Sequence, residues 1–318
     1  MQLIFALIHT LTFRKIWALI ISQHTYIVAR LFRKDIKASM PPYVTIEPTN
    51  RCNLRCPECI TGAGQMKRTA GHMSLADFKA IIDKIYPYTV VLNLYMQGEP
   101  FLNKDLAQMI AYAKSKKLFV SLSTNAQILP QLEAEALPHH LIISADGATQ
   151  GTYEAYRKGG KLSKVQDFVR TLSKWKKERK LSLPFIELQF LVHRQNEKEI
   201  HATKVLFKGQ YNRFVTKSMQ IINEENKAKF MTQLPNANRY AKIKTAHKGC
   251  YKMLSTSVIT QEGQLALCCM DKNAEYVRGN ILQEDYGKLL NNEKAKAYRK
   301  MLIEDKSKVA ICSNCPFA

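Results

Sequence analysis

Three cysteines, Cys52, Cys56 and Cys59, stand in a C-x3-C-x2-C spacing within the run Glu47-Pro48-Thr49-Asn50-Arg51-Cys52-Asn53-Leu54-Arg55-Cys56-Pro57-Glu58-Cys59. Thiols this close in one loop point to a metal site, and three of them leave a fourth ligand position open. A [4Fe-4S] cluster normally takes four cysteines, so a cluster held by three presents one iron to a bound small molecule. A zinc site or a disulfide framework is the alternative. Structural zinc, however, favours C-x2-C pairs and a closed set of four ligands.

At 318 residues the chain is long enough for one large domain and a small one. Eight cysteines are too few for a disulfide scaffold of this length, and their clustering favours metal in a reducing, cytoplasmic compartment. Lys and Arg number 48 against 26 acids, a net charge of +22, which suits a polyanionic partner such as nucleic acid or an anionic membrane. Much of the excess sits in helix-like stretches such as Lys161 to Lys180, where Lys174, Lys176, Lys177, Arg179 and Lys180 read as a solvated face. No aromatic-interleaved RNA-binding motif stands out, so nucleic acid is not the expected partner.

The first 35 residues differ in kind. Apolar runs at Leu3 to Ile8 and Ile16 to Ile21 are broken by Arg14-Lys15 and ended by Arg30, Arg33 and Lys34. No uncharged stretch reaches the roughly 20 residues of a spanning helix. A secretory signal is not expected either, because a basic start and a small-residue cleavage site are both missing. The reading is an amphipathic helix or helix pair at a membrane interface, with Trp17, Tyr26 and Phe32 at that depth. Its competitor is a helix packed on the chain's own core or on a dimer partner.

From Tyr43 onward short β-rich runs alternate with helical stretches, the pattern of a parallel sheet built from βα units. Six strands are expected, at Tyr43–Glu47, Val90–Tyr95, Leu118–Ser123, His140–Ala145, Phe185–Val192 and Arg213–Lys217. Helices are expected at Ser74–Ile85, where Ser74 and Asp77 form a capping-box signal, and at Lys104–Lys116, Leu162–Arg179 and Glu197–Phe207. Short helical stretches are expected after Pro130. The division is a helical segment at 1–38, a core domain at 39–222, a polar connection at 223–249 and a small domain at 250–318. That last segment holds five of the eight cysteines, and a metal would staple so small a unit.

In parallel α/β barrels the site is built from loops at the C-terminal ends of strands. The distinctive polar residues fall there. The cysteine loop follows the first strand, Gln97-Gly98-Glu99-Pro100 the second, Ser123-Thr124-Asn125 ends the third, and Ser144-Ala145-Asp146-Gly147 ends the fourth. Taken singly, Asp146-Gly147 is also an ordinary turn, Asn125 a loop cap and Arg157 a surface ion pair. Gln189 on the fifth strand and Lys217 on the sixth face inward by parity.

With its C-x3-C-x2-C loop after the first strand, the chain resembles the radical S-adenosylmethionine (radical SAM) enzymes. The resemblance implies an α/β fold, a partial (β/α)6 barrel of parallel strands with a small C-terminal iron-sulfur domain. It implies a [4Fe-4S] cluster on Cys52, Cys56 and Cys59 whose open iron chelates S-adenosylmethionine. One electron, from a donor such as flavodoxin or ferredoxin, then yields a 5'-deoxyadenosyl radical that abstracts hydrogen from substrate. Gly98 and Glu99 resemble the end of the family's Gly-Gly-Glu segment, which accepts hydrogen bonds from the methionine ammonium. Ser123, Asn125, Ser144, Asp146 and Gln189 are placed like its ribose and methionine contacts, and Arg157 like its grip on the methionine carboxylate. Two positions depart from the pattern: Glu58 stands where an aromatic usually covers the adenine, and Gln97 where the first glycine stands.

Cys250, Cys268, Cys269, Cys312 and Cys315 form a second set, with a C-x12-G-x4-C arrangement through Gly263 and a final C-x2-C. They resemble the auxiliary-cluster domains called SPASM and, in shortened form, twitch. The resemblance implies a second [4Fe-4S] cluster on Cys250, Cys268, Cys312 and Cys315, with Cys269 spare or exchanging roles with Cys268; four-thiolate zinc suits the spacing equally. A second cluster implies an electron conduit and an oxidative outcome on a peptide, sugar-like or lipid substrate. The rival from another class is a basic, zinc-stapled nucleic-acid-binding protein.

Overall fold

The structure is a computed structural model that describes residues 2–32, 34–129, 133–239, 250–313 and 315. Residues 130–132, where helical stretches were expected to begin, and 240–249 of the connection lie outside the described residues. A short 3-10 turn at Ala134–Ala136 follows the first gap.

Nine strands form one sheet. They are β1 (Tyr43–Ile46), β2 (Val91–Asn93), β3 (Phe119–Thr124), β4 (His140–Ser144), β5 (Phe185–Val192), β6 (Arg213–Ser218), β7 (Thr256–Ile259), β8 (Gln264–Ala266) and β9 (Val277–Asn280). Their order is β6-β5-β4-β3-β2-β1-β7-β8-β9, with β1 to β7 parallel and β8 and β9 antiparallel. The helices in chain order are α1 (Gln2–Thr10), α2 (Phe13–Phe32), α3 (Leu75–Ile85), α4 (Leu106–Ser115), α5 (Gln150–Tyr156), α6 (Leu162–Glu178), α7 (Ile200–Leu206), α8 (Lys227–Phe230), α9 (Tyr251–Ser255), α10 (Tyr286–Asn291), α11 (Glu293–Glu304) and α12 (Ala310–Ser313).

All six expected strands form, within a residue or two of their expected bounds. The α3 start is also as read, with the Ser74 hydroxyl accepting from the Asp77 N–H at 3.0 Å. Glu197–Glu199, expected to open a helix, is a 3-10 turn leading into α7. Strands β7 to β9 were not expected. They are three or four residues long, and β7 extends the sheet by pairing with the free edge of β1, so the cysteine-rich end shares the core's sheet.

The two faces of the sheet differ in chemistry. Val44, Ile46, Leu92, Leu94, Val120, Leu122, Leu141, Ile143, Ile186 and Leu188 are at most 2% exposed. They join Phe78, Ile81 and Ile82 of α3, Met109 and Ile110 of α4, and Val165, Phe168 and Val169 of α6 in one core. The register puts Thr45, Asn93, Ser121, Ser123, His140, Ser144, Glu187, Gln189, Arg213 and Lys217 together on the other face. Parallel sheets are usually apolar on both faces, so a polar one marks the lining of an incomplete barrel. The curl is visible in the contacts. Lys272, beyond β8, donates to Gln220, beyond β6, at 3.3 Å, although six strands separate β6 from β8 in the sheet order.

Helices α1 and α2 meet at 103° and cross the end of the sheet where strands begin. The Lys15 ammonium donates to the Thr10 carbonyl at 3.2 Å and to the Lys117 carbonyl ahead of β3, and Tyr26 packs edge-on against Tyr251 at 5.1 Å. Arg299 of α11 clasps Asp35 just after α2. Tyr26 therefore faces the protein, correcting its expected place at a membrane interface.

Leu92→Ala removes a fully buried side chain from the centre of the sheet. It is expected to lower stability by about 2–5 kcal/mol, read as a lower urea midpoint with an unchanged slope.

Candidate functional site

The three cysteines lie on the loop leaving β1, at the C-terminal end of the parallel strands. Cys56 is buried and Cys52 and Cys59 half-buried, in an apolar nest of Leu54, Tyr156, Met219, Ile221 and Phe230. Burial pushes the Cys56 thiol up to about 11, against the pull of Arg157, and also raises Cys52. Thiols held this way ionise only when a metal takes the proton's place. Among the described residues no three Cys, His, Asp or Glu side chains converge on one metal ion. A tetrahedral zinc ion would draw its sulfurs to about 3.8 Å apart. A cubane instead seats each thiolate on a different iron, and three buried or half-buried thiols on one loop suit such a cluster with its fourth iron open.

The neighbouring loops stitch this one in place. Gly98 has φ +75°, and a Cβ there would lie 2.6 Å from the Arg51 and Thr49 carbonyls, so only glycine fits. The Glu99 N–H donates to the Arg51 carbonyl at 2.8 Å. The Glu99 carboxylate, 2% exposed, accepts from the Thr124 hydroxyl at 2.8 Å, the Asn125 N–H at 2.7 Å and the Phe101 N–H at 3.2 Å. Asn125 in turn donates to Asn53 at 2.8 Å and to the Cys52 sulfur at 3.8 Å. Both side chains help to hold the loop in place. Gln97, in the glycine's place, accepts from Thr61 at 3.3 Å and from the Cys59 thiol at 3.8 Å.

Asp146 is likewise held by protein partners. It is fully buried, takes Arg157 Nε on one oxygen at 2.5 Å and the Leu191 N–H on the other at 2.7 Å. It orients Arg157, whose guanidinium lies 4.0 Å from the Cys56 sulfur and over the Tyr156 ring at 5.4 Å. That leaves Arg157 beside the thiols with its outer N–H groups facing the site. Ser123, Ser144 and Gln189 share the polar face and make no side-chain hydrogen bonds among the described residues. Lys217 lies on that face but is exposed.

Glu58 lies within the cysteine loop. It is buried and bonds the Ile222 and Asn223 N–H groups and the Asn226 amide, tying the cysteine loop to the segment after β6. Six further residues escaped sequence reading. Glu47 and Arg68 form a buried bidentate pair at 2.6 and 2.7 Å, and Arg68 also donates to the Lys272 carbonyl at 3.0 Å, joining the first loop to the second cysteine segment. Deeper in the barrel, Ser121 meets His140 at 3.1 Å, His140 meets Glu187 at 3.4 Å, and Arg213 clasps Glu187 at 2.9 Å. Burial alone would raise Glu187, but His140 and Arg213 hold it below the usual carboxylate range. These side chains sit at alternate strand positions, and that parity was the only signal available for them.

In the second set, Cys250, Cys312 and Leu267, next to Cys268, share an apolar cluster with Met253, Leu302 and Val309. Cys268 lies within electrostatic reach of Cys250, and Cys312 of Cys250 and Cys315. Burial pushes Cys268 up to about 12 and Cys312 to about 11. Two buried cations stand beside them with unpaired N–H groups among the described residues: Arg278 near Cys268 and Lys306 near Cys312. Orphaned buried donors next to four thiols fit an anionic cluster. Cys269 interacts electrostatically with Cys268 and has further neighbours of its own. Its sulfur accepts from the Lys252 ammonium at 3.6 Å, and it lies near Tyr95 and Lys272 at the barrel.

Burial raises the Glu99 pKa from 4.5 to about 7 despite its three hydrogen bonds. Because the folded value exceeds the unfolded one, Glu99 favours folding most below its unfolded value and loses that contribution as pH rises through 7. The melting temperature of metal-free protein, wild type minus Glu99→Gln, should therefore fall between about pH 5 and 7.5. A pH-independent difference would contradict the buried, raised carboxylate.

Comparison with known proteins agrees with the site. The sequence model of the radical SAM superfamily matches residues 46–204, and that of an iron-sulfur cluster-binding domain, SPASM, matches residues 250–316. The chain is 29% identical over 175 residues to Fe-coproporphyrin III synthase of Methanosarcina barkeri, covering 54% of this chain and 41% of that one. It is 27% identical over 164 residues to PqqA peptide cyclase of Bradyrhizobium diazoefficiens, covering 49% and 40%. The chain thus spans about two fifths of the length of these curated relatives. The crystal structure of Streptococcus suis SuiB bound to S-adenosylmethionine superposes with a TM-score of 0.67 at 14% identity, over 92% of this chain and 75% of that one, and shares the partial-barrel fold. With half of its 318 residues inside the first match, the chain belongs to the radical SAM superfamily, whose cofactors are a [4Fe-4S] cluster and S-adenosylmethionine.

Proposed function

We propose that this radical SAM enzyme is a maturase that oxidatively modifies a peptide held against the polar face of the sheet. The observation that carries the reading is the meeting of three clustered thiols, one buried and two half-buried, with Arg157 at one end of that face, alongside a second thiol set in the C-terminal segment. In this reading Cys52, Cys56 and Cys59 hold the first cluster, and Cys250, Cys268, Cys312 and Cys315 hold the second. When bound, the first cluster and S-adenosylmethionine supply the 5'-deoxyadenosyl radical that takes a hydrogen atom from substrate.

The chain's own groups do the positioning. Arg157, aimed by Asp146, grips the methionine carboxylate, and the backbone around Gly98 receives the ammonium. Ser123, Ser144 and Gln189, free of protein partners among the described residues, orient the ribose and methionine. The apolar nest around Cys56 keeps water from the reacting centre. One layer deeper, Ser121, His140, Glu187 and Arg213 offer donors and acceptors to the polar groups of a peptide. Similarity to PqqA peptide cyclase supports that substrate class over a sugar-like or lipid molecule. A second cluster held by Cys250, Cys268, Cys312 and Cys315 would supply an electron conduit, and a flavodoxin or ferredoxin type of protein would be the electron donor.

Anaerobically prepared protein should be brown and carry about eight irons per chain. Colourless protein with stoichiometric zinc would overturn the reading in favour of the zinc-stapled alternative. Cys56→Ala should abolish reductive release of 5'-deoxyadenosine. Cys268→Ala should halve the iron content, whereas Cys269→Ala should leave it unchanged; the opposite pattern would exchange the two assignments.

A further inference from the structure

Helix α2 is built inside out for a helix in water. Its inward face repeats at heptad spacing as Lys15, Ala18, Ser22, Thr25 and Ala29, all buried against the body. Its outward face carries Phe13, Ile16, Trp17, Ile20, Ile27 and Leu31, with Phe13 81%, Trp17 54% and Leu31 71% exposed. Phe13 and Trp17 stack with ring centroids 6.5 Å apart, and Ile4, Phe5 and Ile8 of α1 continue the exposed apolar surface. A surface helix normally turns its large apolar stripe inward, so this face is made to be covered. The inward contacts fix the orientation: Lys15 is pinned to the carbonyls of Thr10 and Lys117, and Tyr26 to Tyr251.

We propose that the outer face of α1 and α2 is a docking surface for an anionic lipid bilayer, on which the enzyme lies peripherally. Charge selects the occupant. Residues 2–34 contain no Asp or Glu, and Arg14, Arg30 and Lys34 are exposed along the apolar face. Headgroups of an anionic leaflet complement that rim, with the rings at the acyl boundary. A second copy of the chain is the poorer match, because a two-fold contact sets the same cations against each other. The pair lies in the surface rather than crossing it. No described single helix is long and apolar enough to span; the two together have that length and composition, but they meet at 103° and α2 is packed along its small-residue face on the body. The cysteine loop, at the opposite end of the strands, then points away from the bilayer, so docking does not require a lipid substrate.

The test uses full-length protein and vesicles of phosphatidylcholine with about 30% phosphatidylglycerol, against phosphatidylcholine alone. Protein should co-sediment with the anionic vesicles, and less so in high salt. The chain has two tryptophans, so in Trp175→Phe the emission of Trp17 should shift to the blue and be quenched by brominated acyl chains. Phe13→Glu with Ile20→Glu should weaken binding more than about tenfold while the circular dichroism spectrum is retained. Equal sedimentation with both vesicle types, or indifference to the double substitution, would overturn the proposal. So would a dimer in solution that the double substitution converts to monomer without any vesicle binding. None of these readouts uses the cysteines, so failure of the radical reading would leave them intact.

Discussion

The buried carboxylate of Glu99 is the contact on which the site's geometry rests. Its backbone hangs on the cysteine loop through the Arg51 carbonyl, and its side chain collects donors from the end of β3 and from Phe101. Three strand ends are thereby set at fixed distances, with Asn125 carrying the constraint on to Cys52. Burying a carboxylate is costly unless it is hydrogen-bonded, and three donors offset much of that cost. Gly98 permits the arrangement because no side chain fits between its backbone and the Thr49 and Arg51 carbonyls.

Three other buried acids play the same part. Asp146 aims Arg157 at the thiols, and Glu47 joins Arg68 to the segment that carries the second cysteine set. Glu58 ties the cysteine loop to the residues after β6. Each acid lies just beyond a strand or within the cysteine loop, and each spends its oxygens on protein. The guanidinium of Arg157 stands beside the Cys56 sulfur, and the side chains of Ser123, Ser144 and Gln189 make no hydrogen bonds among the described residues. That buried acids are the groups tied to protein follows from the cost of burying a carboxylate without donors.

The cysteine spacing and the strand-end positions of Glu99, Asn125, Asp146 and Arg157 were legible in the sequence, because such loops have a local signature. The six parallel strands were legible too, through β-rich runs separated by helical stretches. Which carboxylates contact ligand and which contact protein was not legible: Asp146 reads the same in either role until Leu191 and Arg157 are brought to it from 45 and 11 residues away. Strands β7 to β9 were hidden for a related reason. Their three or four residues form only because β1 offers an open edge.

By itself the sequence determined the superfamily, the parallel sheet and two groups of thiols, since each depends on short-range spacing and periodicity. It also determined that residues 2–34 are apolar and cationic. Tertiary structure decided that Cys250 and Cys312 share one apolar cluster, that Tyr26 faces inward, and that α2 buries its small residues and exposes its large ones. Those choices depend on what stands opposite each side chain. Helical periodicity defines two faces but leaves open which one meets the protein, and here the pinning of Lys15 and Tyr26 turns the small-residue face inward.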